Sequence, residues 1–241
     1  MTDKFPNEVE SLVTNLQGAY CEEYFKNPAK EWNKQIQVIN FIIATTVKAH
    51  SVKRGATKIS VNDELLRTYF EKIIVPELDS EKANSSPILT SQAIKFLVIY
   101  RNFIPKDWMI DILQKLMTFL TNESLVVRTY SSSAIEKLLA MRDLDTKKLI
   151  FTQEAIKPLL EDLLKQLNIL ISESEGLHNY ALMSLFRVVS IAKEDFAPFV
   201  EGFSDAMINF INKAFKDSYT SAYSIYILFE TLGYVIDTIP T

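Results

Sequence analysis

The sequence predicts an all-α protein, a superhelix of paired helices. Three observations carry that prediction. Apolar residues recur every three or four positions along almost the whole chain. No series of segments alternates apolar and polar residues as half-buried strands do. Only 5 of the 241 residues are Gly, too few for the many tight turns of a barrel or for a Gly-rich phosphate loop.

The elements follow in order. A first helix spans about 6–24, with Val9, Leu12, Val13, Leu16 and Tyr20 on one stripe. Pro6 suits its first turn, where a missing N–H costs nothing. A second starts near Pro28 and Trp32 and carries Ile36, Ile39, Ile43 and Val47. A third carries Leu65, Leu66, Tyr69, Phe70 and Ile73. It then meets Pro76, which ends or kinks it by removing a donor and clashing one turn back. Residues 89–102 carry Leu89, Ala93, Ile94, Leu97 and Val98. After the turn at Pro105 come Met109, Leu113, Leu116, Met117 and Leu120. Residues 123–140 place Val126, Val127, Tyr130, Ala134, Leu138 and Leu139 on a stripe, and residues 152–171 place Ile156, Leu160, Leu163, Leu164, Leu167 and Ile171. Helices at 177–192, 197–215 and 220–236 complete the series, the last with Tyr223, Tyr226, Phe229 and Leu232 inward.

These ten helices fall into four to five hairpin pairs. First members centred near residues 40, 95, 132, 184 and 228 are spaced by about 47 residues on average, close to the ~40–47 of a HEAT-type helical-hairpin repeat. The longer spacings coincide with connectors at 50–61, 79–88 and 141–151, and inserted loops lengthen a repeat without changing its packing. Both terminal helices are apolar where a solenoid needs polar caps. The chain therefore reads as one HEAT-repeat segment, 1–241, from the interior of a longer solenoid, able to self-associate through its uncapped ends. The competing reading is a compact ten-helix domain whose ends close on themselves.

Several function classes are excluded. A net charge of −4 disfavours general nucleic-acid binding, which needs clustered Lys and Arg. No run of 18 apolar residues predicts a membrane span, and the start MTDKFPNEVE lacks the apolar core of a signal peptide. The single Cys21 and the two histidines, His50 and His178, have no metal-ligand spacing. Gly55-Ala56-Thr57-Lys58 lacks the spacing of a P-loop, and Gly202-Phe203-Ser204 lacks the second glycine of a nucleophile elbow. Glu22-Glu23 and Glu161-Asp162 are adjacent on helices and diverge by roughly 100°. No enzyme chemistry, cofactor or metal is expected.

What remains is surface. The connector 48–58 holds Lys48, Lys53, Arg54 and Lys58 without an acid before Asp63. It suits an acidic partner, or is simply a solvated loop. The second helices of the pairs offer Asp111, Gln114, Lys115, Glu161, Asp162 and Lys165 to a ligand protein. The polar side that every surface helix needs accounts for the same residues.

Several segments carry a family resemblance. Tyr24-Phe25-Lys26-Asn27-Pro28 followed by Glu31-Trp32-Asn33-Lys34 is similar to a block of the CAS-type exportins, members of the importin-β superfamily. Ile74-Val75-Pro76-Glu77-Leu78 resembles their proline-bent helix end. Residues 93–102 (AIKFLVIYRN) with Pro105-Lys106, and 126–132 (VVRTYSS) with Ile135-Glu136-Lys137-Leu138 and Arg142, resemble two further blocks in matching order. Phe186-Arg187-Val188 is a weaker landmark. Phe103 and Ser131-Ser132 depart from the family pattern, which has Gln and Ala-Ala there. The resemblance implies a HEAT segment of a receptor that shuttles between nucleus and cytoplasm and returns importin-α with RanGTP. It also implies that Trp32, Arg101 and Tyr130 serve packing, and that the RanGTP-gripping N-terminal repeats lie outside this chain. A different HEAT or armadillo scaffold, such as a phosphatase regulatory or coat-adaptor subunit, is the alternative.

Overall fold

A computed structural model describes residues 63–143, 145–174, 178–216 and 221–238, and helical positions scattered between Ser11 and Lys26. The second predicted helix with Trp32, the connector with His50, Lys53, Arg54 and Lys58, and Cys21 lie outside the described residues. The chain divides into two compact units, Met1–Ile104 and Pro105–Thr241. The described part of each is built from helices, and the one β-feature is an isolated bridge between Arg142 and Leu149.

In the first unit, α1 (Asp63–Tyr69) opens into a wide π-helical turn, Phe70–Ile74. Pro76 is the cause. It offers no N–H and crowds the carbonyl one turn back. The Val75 N–H reaches the Phe70 carbonyl, five residues earlier, and a 3-10 turn at Val75–Glu77 ends the helix. The segment predicted as a connector at 79–88 holds a short helix, α2 (Ser80–Ser85). Its cap is Asp79, whose carboxylate accepts from the N–H groups of Glu81 and Lys82 at 2.9 and 3.3 Å. Pro87 then opens α3 (Pro87–Ile99). The core of this unit is aromatic. Phe96 meets Phe70 edge-on at 5.5 Å and lies 4.4 Å from the Tyr100 ring. All three side chains are buried, together with Leu66, Ile73, Ile74 and Leu97. Burial raises the Tyr100 phenol pKa beyond its ordinary value.

The second unit contains α4 (Met109–Thr118), α5 (Leu125–Leu139), α6 (Gln153–Ile156), α7 (Leu160–Glu173), α8 (Asn179–Ala192), α9 (Val200–Lys216) and α10 (Ala222–Thr238). The helix predicted at 152–171 is divided, because Pro158 sits in a 3-10 turn between α6 and α7. Its stripe is as expected: Ile156, Leu160, Leu163, Leu167 and Ile171 are buried, and Leu164 is half-buried. The predicted connector at 141–151 is a tight loop. Asp143 accepts from the N–H groups of Asp145 and Thr146 and from Lys106 Nζ. These bonds hold its carboxyl well below the usual carboxylate range.

Two predicted stripes are corrected. In α5, Val127, Ala134, Leu138 and Leu139 are buried as expected, but Val126 is exposed and Tyr130 half-buried, and Ser131, Ser132 and Ile135 also face inward. In α10, Tyr223, Tyr226 and Phe229 are exposed and Leu232 is half-buried. The buried side is Ser224, Ile227, Leu228, Thr231 and Val235. Helix α10 is apolar nearly all round, so its apolar periodicity cannot choose the inner face.

Candidate interaction surface

The second unit arranges its helices in two rows. Helices α5, α8 and α10 pack in succession; α7 packs against the 3-10 turn after α4, and α9 against α7. Hydroxyl groups sit at the junctions. Ser131 Oγ donates to the Leu116 carbonyl at 2.6 Å, joining α4 to α5. Ser184 Oγ donates to the Ser132 carbonyl at 2.8 Å, joining α5 to α8. Ser224 Oγ donates to Asn179 Oδ1, joining α8 to α10. Small side chains let the helices approach closely, and each hydroxyl satisfies a carbonyl or amide oxygen of its neighbour.

His178 ties two of these helices together. Its Nδ1 accepts from the Ala181 N–H at 3.3 Å, capping α8, and its Nε2 lies 3.2 Å from Thr129 Oγ1 of α5. The Thr129 hydroxyl donates to the Leu125 carbonyl, so it accepts from His178 Nε2–H. This assigns the neutral Nε2–H tautomer. Burial lowers the His178 pKa, and nearby Arg128 lowers it further. The sequence placed His178 at a helix start; nothing in it pointed to a partner 49 residues away. Charged ties do similar work. Lys157 Nζ lies 2.6 Å from Asp195 Oδ1, and Lys213 Nζ donates to the Ser172 and Ser174 carbonyls that close α7.

The described candidate residues lie on the α4–α7–α9 row. Asp111 and Gln114 are exposed on α4, where Lys115 is half-buried. Glu161, Asp162 and Lys165 are exposed on α7. The row continues on α9 with exposed Glu201 and Asp205, which the sequence reading did not single out. Some acids of the unit are tied to bases and others are not. Glu136, Asp143, Glu173 and Asp195 are each engaged by a base. Asp111, Glu161, Asp162, Glu201 and Asp205 make no ion pair among the described residues. Asp111, Glu161, Asp162 and Glu201 lie in first helical turns, where the helix dipole favours negative charge. The row can therefore hold unpaired acids at no cost to its helices. Arg101, by contrast, is half-buried and bonds the Val98 carbonyl at 2.7 Å. Among the described residues, no group of three His, Cys, Asp or Glu could hold a metal, and no helix is long and apolar enough to cross a membrane.

Comparison with known proteins gives a consistent result. Residues 1–135 match a family model described as Cse1, and residues 136–240 one described as CAS/CSE protein, C-terminus. Human Exportin-2 is 30% identical over 199 residues, 81% of this chain and 20% of that protein. Exportin-2 of Xenopus laevis is 30% identical over 198 residues, 79% of this chain and 20% of that protein. The Importin-alpha re-exporter of Schizosaccharomyces pombe is 25% identical over 241 residues, 98% of this chain and 24% of that protein. A solved structure described as the exportin Cse1 in its cargo-free, cytoplasmic state superposes with a TM-score of 0.76 at 21% identity, covering 99% of this chain and 24% of that one. This likeness shows the fold, an all-α array of HEAT-type hairpins. The chain spans a fifth to a quarter of the length of these relatives.

Proposed function

The chain belongs to the Cse1, or CAS/CSE, family, and on that premise we propose that it is a segment of a nuclear transport receptor that exports importin-α in a RanGTP-dependent complex. One observation carries this reading: two family models together span residues 1–240, on a chain with the matching helical fold. The receptor works by binding and not by catalysis, and it shuttles between nucleus and cytoplasm. RanGTP and importin-α each favour the same conformation of the long solenoid, so each raises the other's affinity. Small rotations between hairpins, summed along the array, provide that conformational range.

Within this segment we place the partner face on the α4–α7–α9 row, at Asp111, Gln114, Lys115, Glu161, Asp162 and Lys165. The unpaired acids there suit a basic protein surface and steer its approach. Lys53, Arg54 and Lys58 form a separate basic contact for an acidic surface.

The test uses purified importin-α with Ran loaded with GTP or GDP, captured on the full-length protein that carries this segment. Retention of importin-α with RanGTP and its release on GTP hydrolysis is the expected result. Retention that ignores the nucleotide, or none at all, overturns the reading. The 241-residue chain alone is expected to bind RanGTP weakly or not at all. Tight stoichiometric binding in calorimetry would place the segment elsewhere in the receptor.

A further inference from the structure

We propose that the inner edge between α7 and α9 opens and closes about the outer edge between α8 and α10, and that Lys213 is the latch that limits the opening. The inference concerns movement inside this segment and stands whether or not the export reading does. It starts from what fastens each edge. Helix α7 packs against α8, and α9 against α10, so each inner helix follows an outer one. The outer helices are joined by a short hydroxyl and by rings. Ser224 Oγ donates to Asn179 Oδ1, and Tyr234 Oη donates to the Ser190 carbonyl at 3.2 Å. The Tyr234 ring meets Phe186 edge-on at 6.0 Å, and Ser224 is buried. Such contacts leave little slack, because a hydroxyl on a one-carbon stem loses its partner when the helices part by about 1 Å.

The inner edge is fastened by lysines, one at each end. Just before α7, Lys157 Nζ meets Asp195, which lies in the 3-10 turn Lys193–Phe199 that precedes α9. Near the end of α9, Lys213 Nζ donates to the Ser172 carbonyl at 3.0 Å and to that of Ser174, where α7 closes. Start meets start and end meets end, so the two helices run parallel. A lysine is a charge on a flexible four-carbon stem with three donors. The end of a helix offers unpaired carbonyls in succession. Lys213 therefore keeps a bond while its helix slides by several ångströms, which no serine can do. The Lys157–Asp195 pair is a weak tie for another reason: the Lys157 side chain is 65% exposed, and water screens the pair.

Charge pushes the same edge apart. Glu161 and Asp162 stand in the first turn of α7, Glu201 in the first turn of α9, and Asp205 one turn further on. Parallel helices bring these four exposed carboxylates to the same end of the edge. None of them makes an ion pair among the described residues, so like charges repel across it. An edge latched by lysines and loaded with one sign of charge is the one that yields. The edge closed by a buried hydroxyl and packed rings is the one that pivots.

The test is distance measurement by double electron–electron resonance in the full-length protein that carries this segment, with ketone-reactive spin labels that leave cysteines untouched. One pair of labels replaces exposed Asn168 of α7 and Asn209 of α9, and a second pair replaces exposed Tyr180 of α8 and Tyr226 of α10. Lys213→Met keeps an apolar stem and removes the charge and the donors. It is expected to at least double the width of the inner distance distribution and move its mean outward, with the outer pair unchanged. Lys213→Arg keeps the donors and is expected to restore the parent distribution. An inner distribution indifferent to Lys213→Met overturns the inference, as does arginine behaving like methionine. Equal broadening of both pairs also overturns it, because that is general loosening and not rotation about the outer edge.

Discussion

The two units show two solutions to the same packing problem. The first fills space with rings: Phe70, Phe96 and Tyr100 interlock around a helix that widens to meet Pro76. The second has buried rings of its own, Phe119, Phe151 and Phe196, but at its α4–α5 and α5–α8 junctions it removes space. Ser131, Ser132 and Ser184 let helices close on one another, with the Ser131 hydroxyl bonded to the Leu116 carbonyl and the Ser184 hydroxyl to the Ser132 carbonyl. A ring-filled core takes its stability from volume, and losing a ring leaves a void. A serine junction takes its stability from fit, and tolerates loss of an atom better than gain of one.

Mutations can break or sharpen that contrast. The largest expected effect is Phe96→Ala in the first unit, at about 3–5 kcal/mol by chemical denaturation, the usual range for deleting a buried ring. Ser184→Leu follows, at about 1–3 kcal/mol from overpacking. Ser184→Ala is expected near 1 kcal/mol, since it removes one hydrogen bond across the α5–α8 junction while the Ser132 carbonyl keeps its bond within α5. If Ser184→Leu proved neutral while Ser184→Ala did not, close approach would be irrelevant and only the hydrogen bond would matter.

The smallest effect tests the histidine junction. The folded state lowers the His178 pKa from 6.5, so the unfolded chain takes up the proton first as pH falls. The stability it contributes is complete above about 6.5 and declines as pH drops through and below that value. The decline is bounded by the worth of a helix cap, about 1 kcal/mol. His178→Asn keeps a capping side chain without a titrating group. Denaturation between pH 7.5 and 5.5 is expected to show a flatter profile for this variant than for the parent. Equal slopes would remove His178 as the cause.

Where the sequence was legible, a single periodicity dominated. Helix α7 carries one narrow stripe, and Leu160, Leu163, Leu167 and Ile171 are buried as the spacing requires. In α10 several stripes compete, and the aromatic one faces outward. In α5 the inner face is marked by small residues, so a reading based on hydrophobicity chose Val126 and Tyr130 instead of Ser131 and Ser132. The loop at 141–151 depends on Asp143 meeting Lys106, 37 positions away, a pairing that local spacing cannot reveal. The candidate surface was legible only as polarity. Asp111, Glu161 and Asp162 had to face water on any amphipathic helix, whereas their lack of basic partners emerges only when the helices are assembled. Lys53, Arg54 and Lys58 lie outside the described residues, so the structure adds nothing to their reading.

The π turn at Phe70–Ile74 holds one residue more than an α-turn would. That surplus lets both Ile73 and Ile74 point inward before Leu78 joins them. Shortening the stretch by a single codon would return it to ordinary pitch and swing everything downstream by about a quarter revolution. A length change of one amino acid here would thus cost more than a swap of most single side chains, so within this unit insertions and deletions belong in the connectors and not in this turn.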